Sequence, residues 1–158
     1  MYNRKNAINY AHTWWNKRNP NFYNYDNIGG DCTNFISQCL HAGGIVMDKV
    51  YNGWFYTNSS NRSYSWTGVE EFFKYATTNQ KNVGPKAKVV TISQVEVGDI
   101  VQMQQLGKNR FHHNMLITKI DGKKTFDNIK ITCHTKDSVD RPLSNYYYQK
   151  IRFLKILN

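Results

Sequence analysis

Residues 29–44 read GGDCTNFISQCLHAGG, which sets a cysteine at the point where a helix has to begin. Counting from Cys32, apolar residues recur three, four, seven and eight positions on, at Phe35, Ile36, Cys39 and Leu40. That is the period of one helix face. Gly29 and Gly30 break the chain before it, Asp31 is the natural N-cap, and Gly43–Gly44 supply the stop. A thiol in a first helical turn feels unpaired backbone N–H groups, so the expectation is a lowered pKa and a nucleophile. The competing reading is a buried, inert cysteine, because free cysteines are usually buried.

Outward from this helix the pattern changes once. Arg4 to about Lys17 is amphipathic, with Ala7, Tyr10, Ala11, Trp14 and Trp15 on one face. Residues 51–66, rich in Asn, Ser and aromatics, read as a long irregular segment, and Val69, Phe72, Phe73 and Ala76 mark another helix. After Gly84–Pro85 the period becomes that of strands, at residues 89–92, 99–103, 112–120, 128–134 and 150–156. Helices first and antiparallel strands afterwards predict an α+β domain with helices on one face of a sheet. The 158 residues contain no repeat or internal boundary, so one domain over 1–158 is expected.

Composition narrows the partners. With 40% hydrophobic and 15% aromatic residues the chain is a packed protein, and no apolar run is long enough to span a bilayer. The first residues, MYNRKNAINYAHTWW, lack the apolar stretch of a secretory signal. Three cysteines, an odd count, argue against a disulfide framework. The net charge of +10 is uneven: residues 1–71 hold six basic and five acidic side chains, residues 72–158 fifteen and six. Such a surface suits an anionic partner such as nucleic acid, a membrane surface or a phosphate-bearing cell wall. No nucleic-acid-binding motif accompanies the charge, so nucleic acid is not expected. Neither C-x-x-C nor H-E-x-x-H occurs, so neither a metal nor another cofactor is expected.

A nucleophilic cysteine needs a base and a group to orient that base. By alternation, His113 shares a strand face with Met115 and Ile117, and His112 the opposite face with Asn114 and Leu116. On the next strand His134 lies with Lys130 and Thr132. If the two strands are neighbours, a histidine from each can meet beside the cysteine helix. That gives Cys32 as nucleophile, His113 as base and His134 as orienting partner, with His112 an open alternative for the base.

The helix segment, Trp54–Tyr56, Ser65–Val69, V-G-D-I-V-Q at 97–102, H-x-x-L-I-T at 113–118 and H-T-x-D-x-x-x-R-P-L at 134–143 occur in this order. Together they resemble the amidase-domain family of Gram-positive bacteria and their phages, which is related to the NlpC-type and CHAP cysteine hydrolases of peptidoglycan. The resemblance covers nearly the whole chain. It implies a papain-like α+β fold, no metal, and cleavage of a cell-wall amide in the manner of an N-acetylmuramoyl-L-alanine amidase. It places the nucleophile at Cys32, favours His113 over His112, and puts His134 at the polar third position, with Asn128 and Asp137 nearby in sequence. It also suggests an oxyanion donor between Tyr25 and Asp31, and Trp54 at the substrate. The implied partner is peptidoglycan, met by a monomer acting at the wall after secretion or phage delivery. Alternatives are a cysteine endopeptidase or an acyltransferase on the same scaffold, and, outside enzymology, a basic wall- or nucleic-acid-binding module.

Overall fold

The computed structural model describes residues 1–158. Helix α1 spans Arg4–Trp14 and α2 spans Cys32–Ala42. A short hairpin follows, β1 (Tyr56–Asn58) and β2 (Asn61–Arg62), then α3 (Tyr64–Thr67) and α4 (Val69–Thr78). Six further strands complete the chain: β3 Ala87–Val90, β4 Ile100–Gln104, β5 His113–Ile120, β6 Ile129–Cys133, β7 Ser138–Pro142 and β8 Lys150–Ile156. They form one antiparallel sheet in the order β3-β8-β4-β5-β6-β7. The protein is α+β, as its pattern predicts, and no helix is long and apolar enough to cross a membrane.

Strand alternation divides the interior in two. Ile100, Leu116 and Leu154 point to one face, where they meet Ala7 and Ala11 of α1, Phe35, Ile36, Cys39 and Leu40 of α2, and Trp54, Trp66 and Phe72. Val101, Met103, Met115, Ile117, Ile131 and Phe153 point to the other face, under Val95 and Leu143. The alanines of α1 let it lie close on α2, which is buried along nearly its whole length. Trp54 and Trp66 pack at 4.7 Å between ring centres, both fully buried.

Three local expectations change. Residues 51–66 are ordered, because Asn58 Oδ1 accepts the amides of Ser60 and Asn61 and closes a tight hairpin. Helix α1 stops at Trp14 rather than near Lys17, and the Trp14 carbonyl turns to His134. Strand β7 gave no β signal, being SVDRP with Asp140 at φ 46°. It sits at the sheet edge, where a proline and an irregular ladder are tolerated.

Candidate active site

Cys32 opens α2, as expected, but Asp31 is not a side-chain cap. Its buried carboxylate points away from the helix amides. Oδ1 accepts from the Tyr25 amide and from Asn34 Nδ2, each at 2.9 Å, and Oδ2 lies 2.6 Å from His134 Nδ1. His134 Nε2 donates to the Trp14 carbonyl at 2.8 Å, and its ring stacks on Phe35 at 3.8 Å. Arg18 lies 3.7 Å from the same carboxylate and bonds Asp26 and Asp137. Burial works against Asp26, yet the Arg18 bonds outweigh it and hold that carboxyl below its usual range. The loop into Cys32 is thus tied to α1, α2 and the residue after β6. Gly30, at φ 100°, makes the final turn, and a Cβ there would press on Thr135 Oγ1 at 3.1 Å.

Around the sulfur, the thiol donates to the His112 carbonyl at 3.7 Å and meets Thr33 Oγ1 at 3.8 Å. The amide of Asn114 also points at it. Both peptide groups flanking His113 therefore touch the sulfur. Burial is the dominant influence and raises the Cys32 pKa, while the Asn114 amide and the Thr33 hydroxyl and amide pull it down and the Asp31 charge adds to the rise. The thiol is consequently protonated at neutral pH, which corrects the expectation of a lowered pKa. Helix position does favour the thiolate, but desolvation is the larger effect here. Burial, then the charges of His112 and Lys136, push His113 down to about 4. The resting pair is neutral thiol and neutral imidazole. Iodoacetamide should then label Cys32 slowly at pH 7, about tenfold faster for each pH unit above it. A rate independent of pH between 6 and 8, followed by mass spectrometry of the labelled cysteine, would contradict this.

The histidines part company. His113 projects with Met115 and Ile117 toward the face away from the helices, and its nearest rings are those of His112 at 6.3 Å and Tyr146 at 6.4 Å. Its imidazole makes no hydrogen bond, to Cys32 or to anything else. His134 lies on the helix side, against Phe35, with both nitrogens engaged. The expected meeting of His113 and His134 does not occur, because the paired strands present them on opposite faces. Asn128 and Asp137 do not replace it: Asn128 Nδ2 donates to the Lys123 carbonyl, and Asp137 is held by Arg18. His112, with the Gln105 amide donating to its Nδ1 at 3.4 Å, lines a cleft of about 230 Å³ together with Cys32, Gly29, Gly68, Glu71 and Arg110.

Other expected site residues move out. Trp54 is fully buried, with Nε1 donating to Ser37 Oγ at 3.0 Å, and presents no surface to a substrate. Tyr25 and Asp31 are buried and bonded to each other rather than turned to the cleft. Of the amides from Tyr25 to Asp31, those of Tyr25, Asp26, Ile28, Gly30 and Asp31 already have acceptors. Gly29 has none and lines the cleft.

Sequence reasoning passed over Asn114 and Thr33, although each adjoins a residue it selected. Asn114 Nδ2 donates to Thr33 Oγ1 at 3.1 Å and Gln102 Nε2 donates to Asn114 Oδ1 at 2.7 Å. Arg152 Nε in turn donates to Gln102 Oε1, while its other nitrogen reaches Glu70 Oε2. Glu70 Oε1 accepts the Phe111 amide at 2.9 Å. The guanidinium lies between the rings of Phe73 and Phe111, at 3.5 and 3.9 Å from their centres. This relay joins the second residue of α2 to the loop carrying His112. Nowhere do three His, Cys, Asp or Glu side chains gather as metal ligands.

A family model described as "Putative amidase domain" matches residues 1–157. The uncharacterized protein YhbB of Bacillus subtilis (strain 168) is 40% identical over 124 residues, which are 77% of this chain. The chain spans 38% of that relative's length. No solved structure matches it. The match takes in α1, the cysteine helix, the histidine strand and the last strand alike, so the whole arrangement has a family: this chain belongs to the putative amidase domain family.

Proposed function

We propose that the chain is a cysteine-dependent peptidoglycan amidase, cleaving the amide between the lactyl group of a wall sugar and its peptide. The observation that carries this reading is the Cys32 thiol at a helix start, wedged against the peptide groups on either side of His113 and opening on a cleft. A nucleophile helix laid on an antiparallel sheet, with a histidine opening a neighbouring strand, is also the papain-like plan implied by the resemblance.

With a neutral pair, the proton moves during attack. The His113 imidazole, unbonded at rest, has to turn toward the sulfur; it then takes the Cys32 proton as Sγ bonds to the carbonyl carbon, and the oxyanion forms near the Cys32 and Gly29 amides. First-turn amides of a helix have no partner inside it, so the Cys32 N–H is free for this task. The imidazolium then protonates the leaving nitrogen, the C–N bond breaks, and a thioester remains. Water, deprotonated by His113, attacks the thioester; the acid leaves and the thiol recovers its proton. Asp31 and His134 act by holding the loop before Cys32, not by touching His113.

One observation favours a second reading for the base: His112, not His113, lines the cleft with Cys32. Alanine at each position separates them. His113→Ala should lower wall hydrolysis by about 10²–10⁴-fold, the usual worth of a general base, and His112→Ala by less than about tenfold. The reverse order would assign the base to His112. Because His113 has a pKa of about 4, it is unprotonated and competent above that pH. The pH–rate profile should therefore show no limb from its protonation between pH 6 and 7, and a limb there would count against it as base.

Mass analysis of fragments released from purified peptidoglycan tests the bond. A new amino terminus on the first peptide residue, with an intact sugar lactyl acid, supports the amidase. A new amine within the peptide would make the protein an endopeptidase.

A further inference from the structure

Beside the Cys32 cleft runs a second groove of about 460 Å³, and Glu71 lines both. Its floor and walls come from the hairpin, α3 and α4, including Phe55, Arg62, Tyr64 and Lys74. Two of its rims are conspicuous: Tyr51 and Tyr64 are 93% and 76% exposed. Each of these rings offers a flat apolar face and a hydroxyl to a molecule lying in the groove.

The charges of the groove are unbalanced. Arg62 sits half-buried with its guanidinium over the Tyr25 ring at 4.9 Å, and its Nε is buried without any hydrogen-bond partner. Lys74 has no carboxylate partner, whereas the acid of the groove, Glu71, is taken by Arg110 at 3.4 Å. No other nitrogen of the Arg62 guanidinium has a hydrogen bond or ion pair within the protein, and where the side chain lines the groove a planar carboxylate is the acceptor that matches its terminal nitrogens. The geometry points to a subsite for an acidic peptide. Its carboxylate is held by Arg62 and attracted by Lys74, and its backbone or attached sugar lies against Tyr51 and Tyr64. This rests on the proposed wall-amidase reading, and names the part of that substrate which the groove would hold: the carboxylate-bearing peptide beyond the scissile amide.

The test is binding without turnover. In the full chain carrying Cys32→Ala, calorimetry would measure a soluble muramoyl peptide with free carboxylates and the same compound with them converted to amides. Amidation should weaken binding about tenfold or more, as should Arg62→Gln with the free acid, since a charged hydrogen bond is being removed. The two changes together should cost little beyond either alone, and Arg62→Lys should recover part of the loss. Tyr64→Ala, at an exposed ring that leaves the core intact, should weaken both forms several-fold. Equal affinity for acid and amide, or no binding of either, would overturn the subsite. If Arg62→Gln does not fold, the amidation and Tyr64 arms still decide. Failure of the amidase reading shows separately, as wild-type protein that releases no new amine from peptidoglycan.

Discussion

Cys32→Ala should abolish wall hydrolysis, with kcat falling by about 10⁴ or more, while the protein remains folded. The proposed reaction passes through a bond to Sγ, and no other thiol can substitute. Cys39 is fully buried among α1 and the tryptophans, and burial raises its pKa well above the usual range. Cys133 lies under the sheet beside Tyr146, where burial pushes it up to about 12. Effects of this size are usual when the group that forms the covalent intermediate is removed. Serine should be no rescue: an imidazole with a pKa near 4 is a weak base, and a hydroxyl asks more of it than a thiol. The loss of one sulfur should change stability by only about 1 kcal/mol. The measurement is clearing of purified peptidoglycan beside a denaturation curve. Retention of even a tenth of the activity in a folded Cys32→Ala protein would end the cysteine mechanism.

The second large effect is on stability. Asp31→Ala removes a carboxylate that answers the Tyr25 amide, Asn34 Nδ2 and His134 Nδ1, all buried. Breaking one side of such a buried set leaves donors without water or partner, and about 3–5 kcal/mol should be lost. That is a large part of the margin of a typical domain. Asp31→Asn should cost less, about 1–2 kcal/mol, because an amide oxygen can still accept and the amide nitrogen can donate to an unprotonated His134 Nδ1 while Nε2 keeps its bond to the Trp14 carbonyl. Urea denaturation with an unchanged slope would measure both. A loss below about 1 kcal/mol for Asp31→Ala would show that this network is not what fastens the loop.

The helix at Cys32 and the five strand runs could be read from the sequence because each rests on local periodicity: 3.6 at Phe35, Ile36, Cys39 and Leu40, and 2 at Val101, Met103, Met115 and Ile117. Strand β7 escaped because an edge strand needs no apolar alternation. The face of each histidine was also legible, since alternation assigned His113 to the Met115 side. What was not legible is which face the helices cover, and that decides which residues can meet. For that reason the partner of His134 is hidden in the sequence: Asp31 lies 103 positions away, and no spacing rule relates them. The thiol's ionisation is hidden for the same reason. Helix position is written in the sequence near Cys32, whereas its burial depends on residues 112–114 closing over it.

The polar relay from Thr33 through Asn114, Gln102 and Arg152 to Glu70 and Phe111 has a mechanical meaning. It clamps the nucleophile's helix and the loop bearing His112 to the same inner strands, β4, β5 and β8, and leaves β6 and β7 outside the brace. The loop before Cys32 has a separate fastening, through Asp31 and His134 to the end of β6, so fraying confined to the edge strand β7 leaves both holds on the sulfur in place.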